Sequence, residues 1–262
     1  MAMHDDDHTV GRVLTRRELV ALFGAAAAAS FAHSASAQSG TGQPSTIVPS
    51  CVVHPQQTQG PFFVDERLLR SDVRADSRTG VVSAGSPLEL RLSIAQVSAA
   101  GACAPLAGAQ VDIWQCDALG RYSDVNDRRN STNGQTFLRG HQVTDAKGSV
   151  QFTTIYPGWY PGRAVHVHFK VRTVASSSPA YEFTSQFYFD ERLTDRVHAR
   201  EPYSTRTGQR MRNDSDGIFR DGGLQLTLPV TERGQGYAAS FTVGMRPGDP
   251  APRGWGRGRW RL

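Results

Sequence analysis

Two histidines separated by a single residue are the first feature of the sequence that could do chemistry. His166 and His168 lie in AVHVHFKV (164–171), which has the composition of a strand. Because successive side chains of a strand point to opposite faces, the two imidazoles share one face, with Cα atoms about 7 Å apart. Imidazoles so placed can bring their nitrogens to about 2 Å from one metal ion. The same spacing also fits two histidines that bind nothing, so the neighbouring residues must decide.

The segment before this strand supplies two more reactive side chains. YPGWYPG (156–162) is rich in Pro and Gly and is typical of a turn. We expect this turn to hold Tyr160 and Arg163 beside the histidines instead of within a sheet. A phenol and a guanidinium next to two imidazoles favour a metal site over two unrelated histidines.

Short strands separated by turns predict the scaffold that positions these residues. Alternating apolar and polar residues recur along the chain, and no long stretch has clean helical periodicity. Seven segments have the strand pattern: 88–94, 109–116, 149–155, 164–171, 181–189, 224–230 and 237–245. Strands and turns at this spacing predict an all-β fold, a two-sheet β-sandwich, as one domain over 51–245.

The first 37 residues have the features of an export signal. Arg16 and Arg17 precede a short, alanine-rich apolar stretch that ends in Ala35-Ser36-Ala37. This order predicts a signal peptide over 1–37, and the paired arginines favour the twin-arginine route, which exports folded proteins. An ordinary N-terminal helix is the alternative. We therefore expect a periplasmic or extracellular protein. Two further segments flank the domain: a flexible lead-in, 38–50, and a basic Arg/Trp tail, 246–262.

Composition and charge exclude several other classes of protein. The formal net charge of the 262 residues is +5, and residues 251–262 alone hold four arginines, so no broad nucleic-acid-binding surface is indicated. No apolar run approaches the roughly 20 residues that span a bilayer. Cys51, Cys103 and Cys116 allow one intramolecular disulfide and leave one thiol over, and all three pairings stay open.

Four segments of the sequence resemble the intradiol ring-cleavage dioxygenases, a family that includes protocatechuate 3,4-dioxygenase and the catechol 1,2-dioxygenases. They are TQGPFFVD (58–65), LAGAQVDIWQCDALGRYSD (106–124), TDAKGSVQFTTIYPGWYPGRAVHVHFKV (144–171) and FTSQFYFD (183–190). The combination is far more specific than any one segment, and the similarity runs over 51–245. Only five residues separate Tyr160 from His166, a short interval that resembles the compact, exported members of the family.

The resemblance implies a metal and its ligands. The family holds a non-haem Fe(III) with two tyrosines and two histidines. The positions that match its motifs are Tyr122, Tyr160, His166 and His168. The resemblance implies Tyr160 and His168 as axial ligands and Tyr122 and His166 as equatorial ones.

The resemblance also implies catalytic and substrate-binding residues. The arginine of the R-x-x-H-x-H motif is Arg163, which would stabilise developing negative charge and contact the substrate. The glutamine of the strand that follows is Gln186, which would hydrogen-bond the substrate or the bound oxygen. Tyr160 would leave the metal and accept a substrate proton. Pro61 and Phe62 resemble the segment that lines the family's substrate pocket.

The activity implied is cleavage of a catechol-type aromatic diol by O2 to a cis,cis-muconate-type dicarboxylate. The fold implied is the family's β-sandwich with long active-site loops. Anionic oxygen ligands suit Fe(III), whereas two histidines and one carboxylate suit Fe(II). The resemblance implies a small-molecule catechol and O2 as partners, and the composition indicates neither nucleic-acid binding nor stable membrane insertion.

Two alternative functions fit part of the pattern. Transthyretin-like sandwich modules, which bind without catalysis, have segments similar to PLAGAQV (105–111) and TDAKGSVQF (144–152). Such modules do not need the tyrosine and histidine set. An extradiol or cupin-type Fe(II) enzyme would need a carboxylate near His166 and His168, and the nearest one in the sequence is Glu182, on the next predicted strand.

Overall fold

Nine strands and a few short helices make up the part of the chain that the computed structural model describes, residues 52–126, 131–173 and 181–246. The strands are β1 (Pro87–Val97), β2 (Cys103–Pro105), β3 (Gln110–Trp114), β4 (Arg139–Val143), β5 (Ser149–Ile155), β6 (His166–Arg172), β7 (Glu182–Tyr188), β8 (Thr231–Arg233) and β9 (Gly236–Met245). The helices are α1 (Glu191–His198) and α2 (Gly217–Arg220), with 3-10 helices at Tyr203–Thr205, Asn213–Ser215 and Gly223–Leu226.

The strands form two sheets that enclose one apolar core. In the first sheet β1 pairs in parallel with β9, whose other edge pairs with β8, while β5 and β2 both pair with the opposite edge of β1. The second sheet is antiparallel and has the order β4-β3-β6-β7. Leucines of β1 and aromatic and β-branched residues of β6 and β7 belong to the same buried cluster. The predicted all-β, two-sheet sandwich is therefore confirmed.

Strand β6 is buried on both of its faces. Its apolar residues Val167, Phe169 and Val171 belong to the core. Its polar residues His166, His168 and Lys170 alternate with them and are also buried. Since an uncovered outer face would expose these three side chains to water, other parts of the chain must cover it. The functional site lies under that cover.

Six of the seven predicted strand segments contain a strand, and one prediction is wrong. Residues 224–230 begin within the 3-10 helix Gly223–Leu226 and then run extended, with a single bridge from Thr227 to Tyr188. Pro229, two residues after Thr227, has no N–H to extend the ladder. Leu226 and Leu228 are nevertheless buried, so the alternation reflects burial without a sheet partner.

The ends of the chain lie largely outside the described residues. The predicted signal peptide, the lead-in 38–50 and all but the first residue of the tail 246–262 belong to that part. Cys103 is disulfide-bonded, and Cys116 is a free, buried thiol. Among the residues that the structure describes, no helix is long and apolar enough to cross a membrane.

Candidate active site

Tyr122 lies at the end of a tight turn that follows β3. The Asp117 carboxylate accepts hydrogen bonds from the backbone N–H groups of Leu119 and Arg121, both at 2.9 Å. Its second oxygen accepts from the Arg121 Nε at 2.8 Å. This Asp-centred turn reverses the chain, and Tyr122 emerges from it almost fully buried.

The loop that holds Tyr160 packs against this turn, backbone to backbone. A Cβ added at Gly120 would lie 2.0 Å from the Trp159 carbonyl oxygen, and one added at Gly158 would lie 2.4 Å from the Asp117 carbonyl oxygen. Only glycine allows approaches this close. The two tyrosine rings consequently face each other edge-on, with centroids 5.6 Å apart.

The two histidines are oriented by different means. The Nδ1 of His166 donates to the carbonyl oxygen of Ala164 at 2.6 Å, which leaves Nε2 as the nitrogen with a lone pair. The His168 ring stacks on the Trp114 indole, with centroids 4.8 Å apart and an interplanar angle of 3°. The two Nε2 atoms lie 3.0 Å apart. The pair therefore shares a face of β6, as the spacing predicts.

Four donor atoms converge at this point. The hydroxyl oxygens of Tyr122 and Tyr160 each lie 3.4 Å from the Nε2 of His166. Donors with bonds of about 2.1 Å to one shared ion, arranged at angles of about 90° to 110°, would show these separations. Phenol oxygens and imidazole nitrogens are also donors suited to iron. The four side chains therefore fit a single metal ion.

Burial sets the protonation of these side chains in the absence of a metal. It lowers the pKa of His166 to about 3, and the Arg163 cation adds to this effect. Burial also lowers the pKa of His168 well below its usual value, so both imidazoles are neutral, as ligands must be. Burial raises the pKa of Tyr122 and raises that of Tyr160 to about 12, although the Arg163 cation opposes it there.

Arg163 is fixed beside the cluster by two partners. Its Nε donates to the Asp216 Oδ2 at 3.0 Å, and its Nη2 donates to the Gln186 Oε1. The Gln186 amide is in turn held by Thr58, whose carbonyl oxygen accepts from Nε2 at 2.9 Å, and by the Tyr188 hydroxyl, which donates to Oε1 at 3.2 Å. In the structure Gln186 thus orients Arg163, and its contact with a substrate stays a prediction.

Of the two predicted pocket residues, Phe62 contacts the candidate ligands and Pro61 lies at the surface. Phe62 stacks on Tyr122, with centroids 4.5 Å apart, and meets Tyr160 edge-on at 5.6 Å. Arg139, which is buried, donates to the Phe62 carbonyl oxygen at 2.6 Å and fixes this part of the chain. Pro61 is exposed to solvent. Phe62 is therefore an apolar neighbour of the candidate metal ligands, whereas Pro61 is at the surface.

Tyr156 and Glu182 compete with the predicted ligands in the sequence, and the structure separates both from the cluster. The Tyr156 hydroxyl lies 2.7 Å from the Thr194 Oγ1, within the core. The Glu182 Oε1 accepts from the Lys170 Nζ at 2.7 Å. In the described parts of the chain, no three His, Cys, Asp or Glu side chains form a metal-binding group. The structure thus does not offer the carboxylate that an Fe(II) site requires.

Three supporting residues were not found from the sequence. Asp216 holds the Arg163 side chain, and Arg139 holds the backbone of Phe62, as described above. Lys170 donates to the Gln59 side chain, and its Nζ lies 4.2 Å from the centroid of the Phe63 ring. The alternation of β6 could have placed Lys170 on the face of the histidines, but no local pattern connects Asp216 or Arg139 with the site.

These features define a class of protein: a β-sandwich with a candidate non-haem metal centre of two tyrosines and two histidines on the outer face of one sheet, beside a fixed arginine. The family model described as Dioxygenase matches residues 58–206, more than half of the chain. All four candidate ligands lie within that range. The chain belongs to the intradiol ring-cleavage dioxygenase family, whose members act on catechol-type rings and are known for non-haem iron.

Individual relatives agree with this assignment. The protocatechuate 3,4-dioxygenase beta chain of Burkholderia cepacia is 28% identical over 185 residues, which cover 68% of this chain and 73% of that one. The solved structure of an intradiol ring-cleavage dioxygenase from Tetranychus urticae is 28% identical, with a TM-score of 0.65 over 77% of this chain and 98% of that one. The 3-chlorocatechol 1,2-dioxygenase from Rhodococcus opacus 1CP, at 21% identity, TM-score 0.51 and coverage of 73% and 72%, shares the fold.

Proposed function

We propose that this protein holds Fe(III) with Tyr122, Tyr160, His166 and His168 and cleaves a catechol-type diol with O2 to a cis,cis-muconate-type dicarboxylate. The convergence of the donor atoms supports the proposal best: both phenol oxygens and the His168 Nε2 lie within 3.0 to 3.4 Å of the His166 Nε2. A transthyretin-like binding module would have no need to bury and align these groups. Bound ferric iron would supply a Lewis acid that attracts both diol oxygens.

The side chains around the metal then take separate roles. Tyr160 lies on a loop and is the least buried of the four candidate ligands, so we assign it the role of proton acceptor: as a tyrosinate it would take a proton from a diol hydroxyl at its Oη. Arg163, fixed by Asp216 and Gln186, places a permanent cation where negative charge develops on the ring oxygens. Phe62 presents an apolar surface to the aromatic ring and excludes water.

The visible spectrum of the iron-loaded protein tests this proposal. Ferric tyrosinate gives a broad charge-transfer band, and anaerobic addition of catechol should shift that band to longer wavelength. With isotopically labelled O2, both labelled atoms should enter the ring-opened product. An iron-loaded protein that stays colourless and turns over no substituted catechol would remove the enzyme proposal and leave a binding sandwich.

Two tyrosine variants serve as a matched pair for the ligand assignment. Tyr160→Phe removes a predicted ligand and should bleach a large part of the band. Tyr156→Phe, only four residues away, removes the hydroxyl that contacts Thr194 in the core and should leave the band unchanged. Equal spectra for the two variants would contradict the assignment of Tyr160.

We also propose that the protein is exported in folded form by the twin-arginine route. The support is the order of charged, apolar and A-x-A segments over 1–37. Arg16→Lys together with Arg17→Lys should retain the protein in the cytoplasm. Unchanged export of that variant, measured by cell fractionation, would overturn the route.

A further inference from the structure

Asp216 is a buried carboxylate that lies outside the range matched by the family model, 58–206. It is only 2% exposed and follows the 3-10 helix Asn213–Ser215. Its Oδ2 accepts from the Arg163 Nε at 3.0 Å and from the Ala164 N–H at 2.8 Å. Its Oδ1 accepts from the Ile218 N–H at 2.8 Å and so caps α2. One carboxylate therefore joins the Arg163 side chain, the backbone next to it and a separate helix.

The helix that Asp216 caps, α2, is hydrogen-bonded to Gln57, which also contacts the residues around Arg163. The Gln57 Nε2 donates to the carbonyl oxygens of Ile218 and Asp221, at 2.8 and 2.9 Å. The Tyr188 hydroxyl oxygen lies 3.0 Å from the Gln57 Oε1 and 3.2 Å from the Gln186 Oε1, and these two acceptors share its single proton. The carboxylate is thus tied to the same chain of hydrogen bonds that orients the second partner of Arg163.

Arg163 has a long side chain that could adopt several rotamers without these contacts. The hydrogen bonds from Nε and Nη2 hold the planar guanidinium at two of its three nitrogens. Both members of the ion pair are buried, with side-chain exposures of 8% and 2%. An ion pair buried to this degree fixes its partners strongly, because removal of one member leaves the other as an uncompensated charge.

We propose that Asp216 is a positioning residue for ring cleavage: it holds the Arg163 guanidinium against the tyrosine and histidine cluster, so that the cation meets the oxygens of the diol. This inference rests on the proposed function. In this role Asp216 hydrogen-bonds none of the candidate ligands and acts through Arg163. Its second bond, to the Ala164 N–H, holds the backbone whose carbonyl oxygen accepts from His166.

Asp216→Asn is a sharp test because the amide cannot replace the carboxylate. The carboxylate accepts from three N–H groups, on Arg163, Ala164 and Ile218. An amide has one oxygen, and its NH2 group can only donate. Whichever way the side chain turns, it either presents NH2 to the donors of Arg163 and Ala164 or gives up the cap of α2.

The matched control is Asp190→Asn. Asp190 caps α1, and its Oδ1 accepts from the Leu193 N–H at 2.8 Å, so it shares the capping role of Asp216 without contact with Arg163. We expect kcat of Asp216→Asn to fall roughly 10- to 100-fold, with the ferric tyrosinate band retained. Asp190→Asn should stay within about 2-fold of the wild type.

A double variant separates positioning from a general structural effect. If Asp216 acts through Arg163, Arg163→Gln with Asp216→Asn should have a kcat within about 2-fold of Arg163→Gln alone. If the fold-decrease in kcat of the double variant equalled the product of the decreases in the two single variants, the proposal would be overturned. Equal kcat values for Asp216→Asn and Asp190→Asn would also overturn it. In the metal-free protein, the Arg163 Nε–H signal in a proton–nitrogen correlation spectrum should be protected from solvent exchange and lose protection in Asp216→Asn.

The metal-free measurement distinguishes the two possible failures. If the wild-type protein cleaves no catechol but the Nε–H protection depends on Asp216, the proposed function fails while the positioning of Arg163 stands. If the wild type is active and the protection does not depend on Asp216, the positioning role is wrong and the proposed function is unaffected.

Discussion

Replacement of Gly120 by alanine should separate the two tyrosines of the candidate metal centre. Gly120 has a φ of +81°, and an added Cβ would lie 2.0 Å from the Trp159 carbonyl oxygen. That oxygen belongs to the backbone of the residue just before Tyr160, so it cannot be moved by a change of rotamer. The loop that holds Tyr160 must shift away from the turn that holds Tyr122.

The magnitude follows from two contributions. Alanine in the left-handed region costs on the order of 1 kcal/mol relative to glycine. Because Cβ atoms essentially never approach other heavy atoms within 3.0 Å, the loop must also move by at least about 1 Å, and overpacking of this kind costs roughly 1 to 3 kcal/mol. We expect a total loss of about 2 to 4 kcal/mol in the free energy of unfolding. A 1 Å shift at a reacting centre can lower turnover about 100-fold.

Gly162→Ala is the matched control. Gly162 has a φ of +88° and lies in the same loop, but an added Cβ there would have no heavy atom within 4 Å. Urea unfolding of the two variants isolates the contact with Trp159, and the visible band of the iron-loaded proteins reports on the tyrosines. Equal unfolding free energies and equal spectra for the two variants would refute the close packing of the loops as the basis of tyrosine spacing.

Two other properties can be tested without a change in the metal ligands. Burial favours the neutral form of Asp76, but hydrogen bonds, above all from the Thr136 N–H, outweigh it and lower its pKa from 3.8 to about 2. Its contribution to the free energy of unfolding, on the order of 1 to 2 kcal/mol, should be present above about pH 4 and disappear as the pH falls through 2. In Asp76→Asn the urea midpoint should therefore change less with pH over that interval, and the same pH dependence in the variant as in the wild type would refute this role of Asp76. Removal of the proposed iron by a chelator should lower the melting temperature but keep the far-ultraviolet signal of the strands, because the core lies between the sheets. Collapse of that signal on chelation would contradict this expectation.

Periodicity predicted the sandwich well and failed where burial and pairing diverge. Residues 88–94 lie within β1, the central strand of its sheet, where alternation and ladder pairing coincide. In 224–230 the same alternation arises without a strand, because Pro229 interrupts pairing. Strand β4 was missed because RGHQV contains only one strongly apolar residue, and its backbone pairing with β3 depends on distant sequence. Helix α1, with eight residues, is too short for its period to be recognised.

The residues of the candidate site also fall into two groups, those brought together by local sequence and those joined only by long-range contacts. The candidate ligands Tyr160, His166 and His168 lie within nine residues of one another, so strand geometry and a Pro/Gly turn bring them together by local rules. The residues that hold the site act across long separations: Arg163 to Asp216 spans 53 positions and Arg139 to Phe62 spans 77. No periodicity encodes such contacts, since they form only when the loops pack on the finished sheet. A sequence can therefore indicate which groups could bind a metal, whereas the fold determines which groups hold them and Arg163 in place.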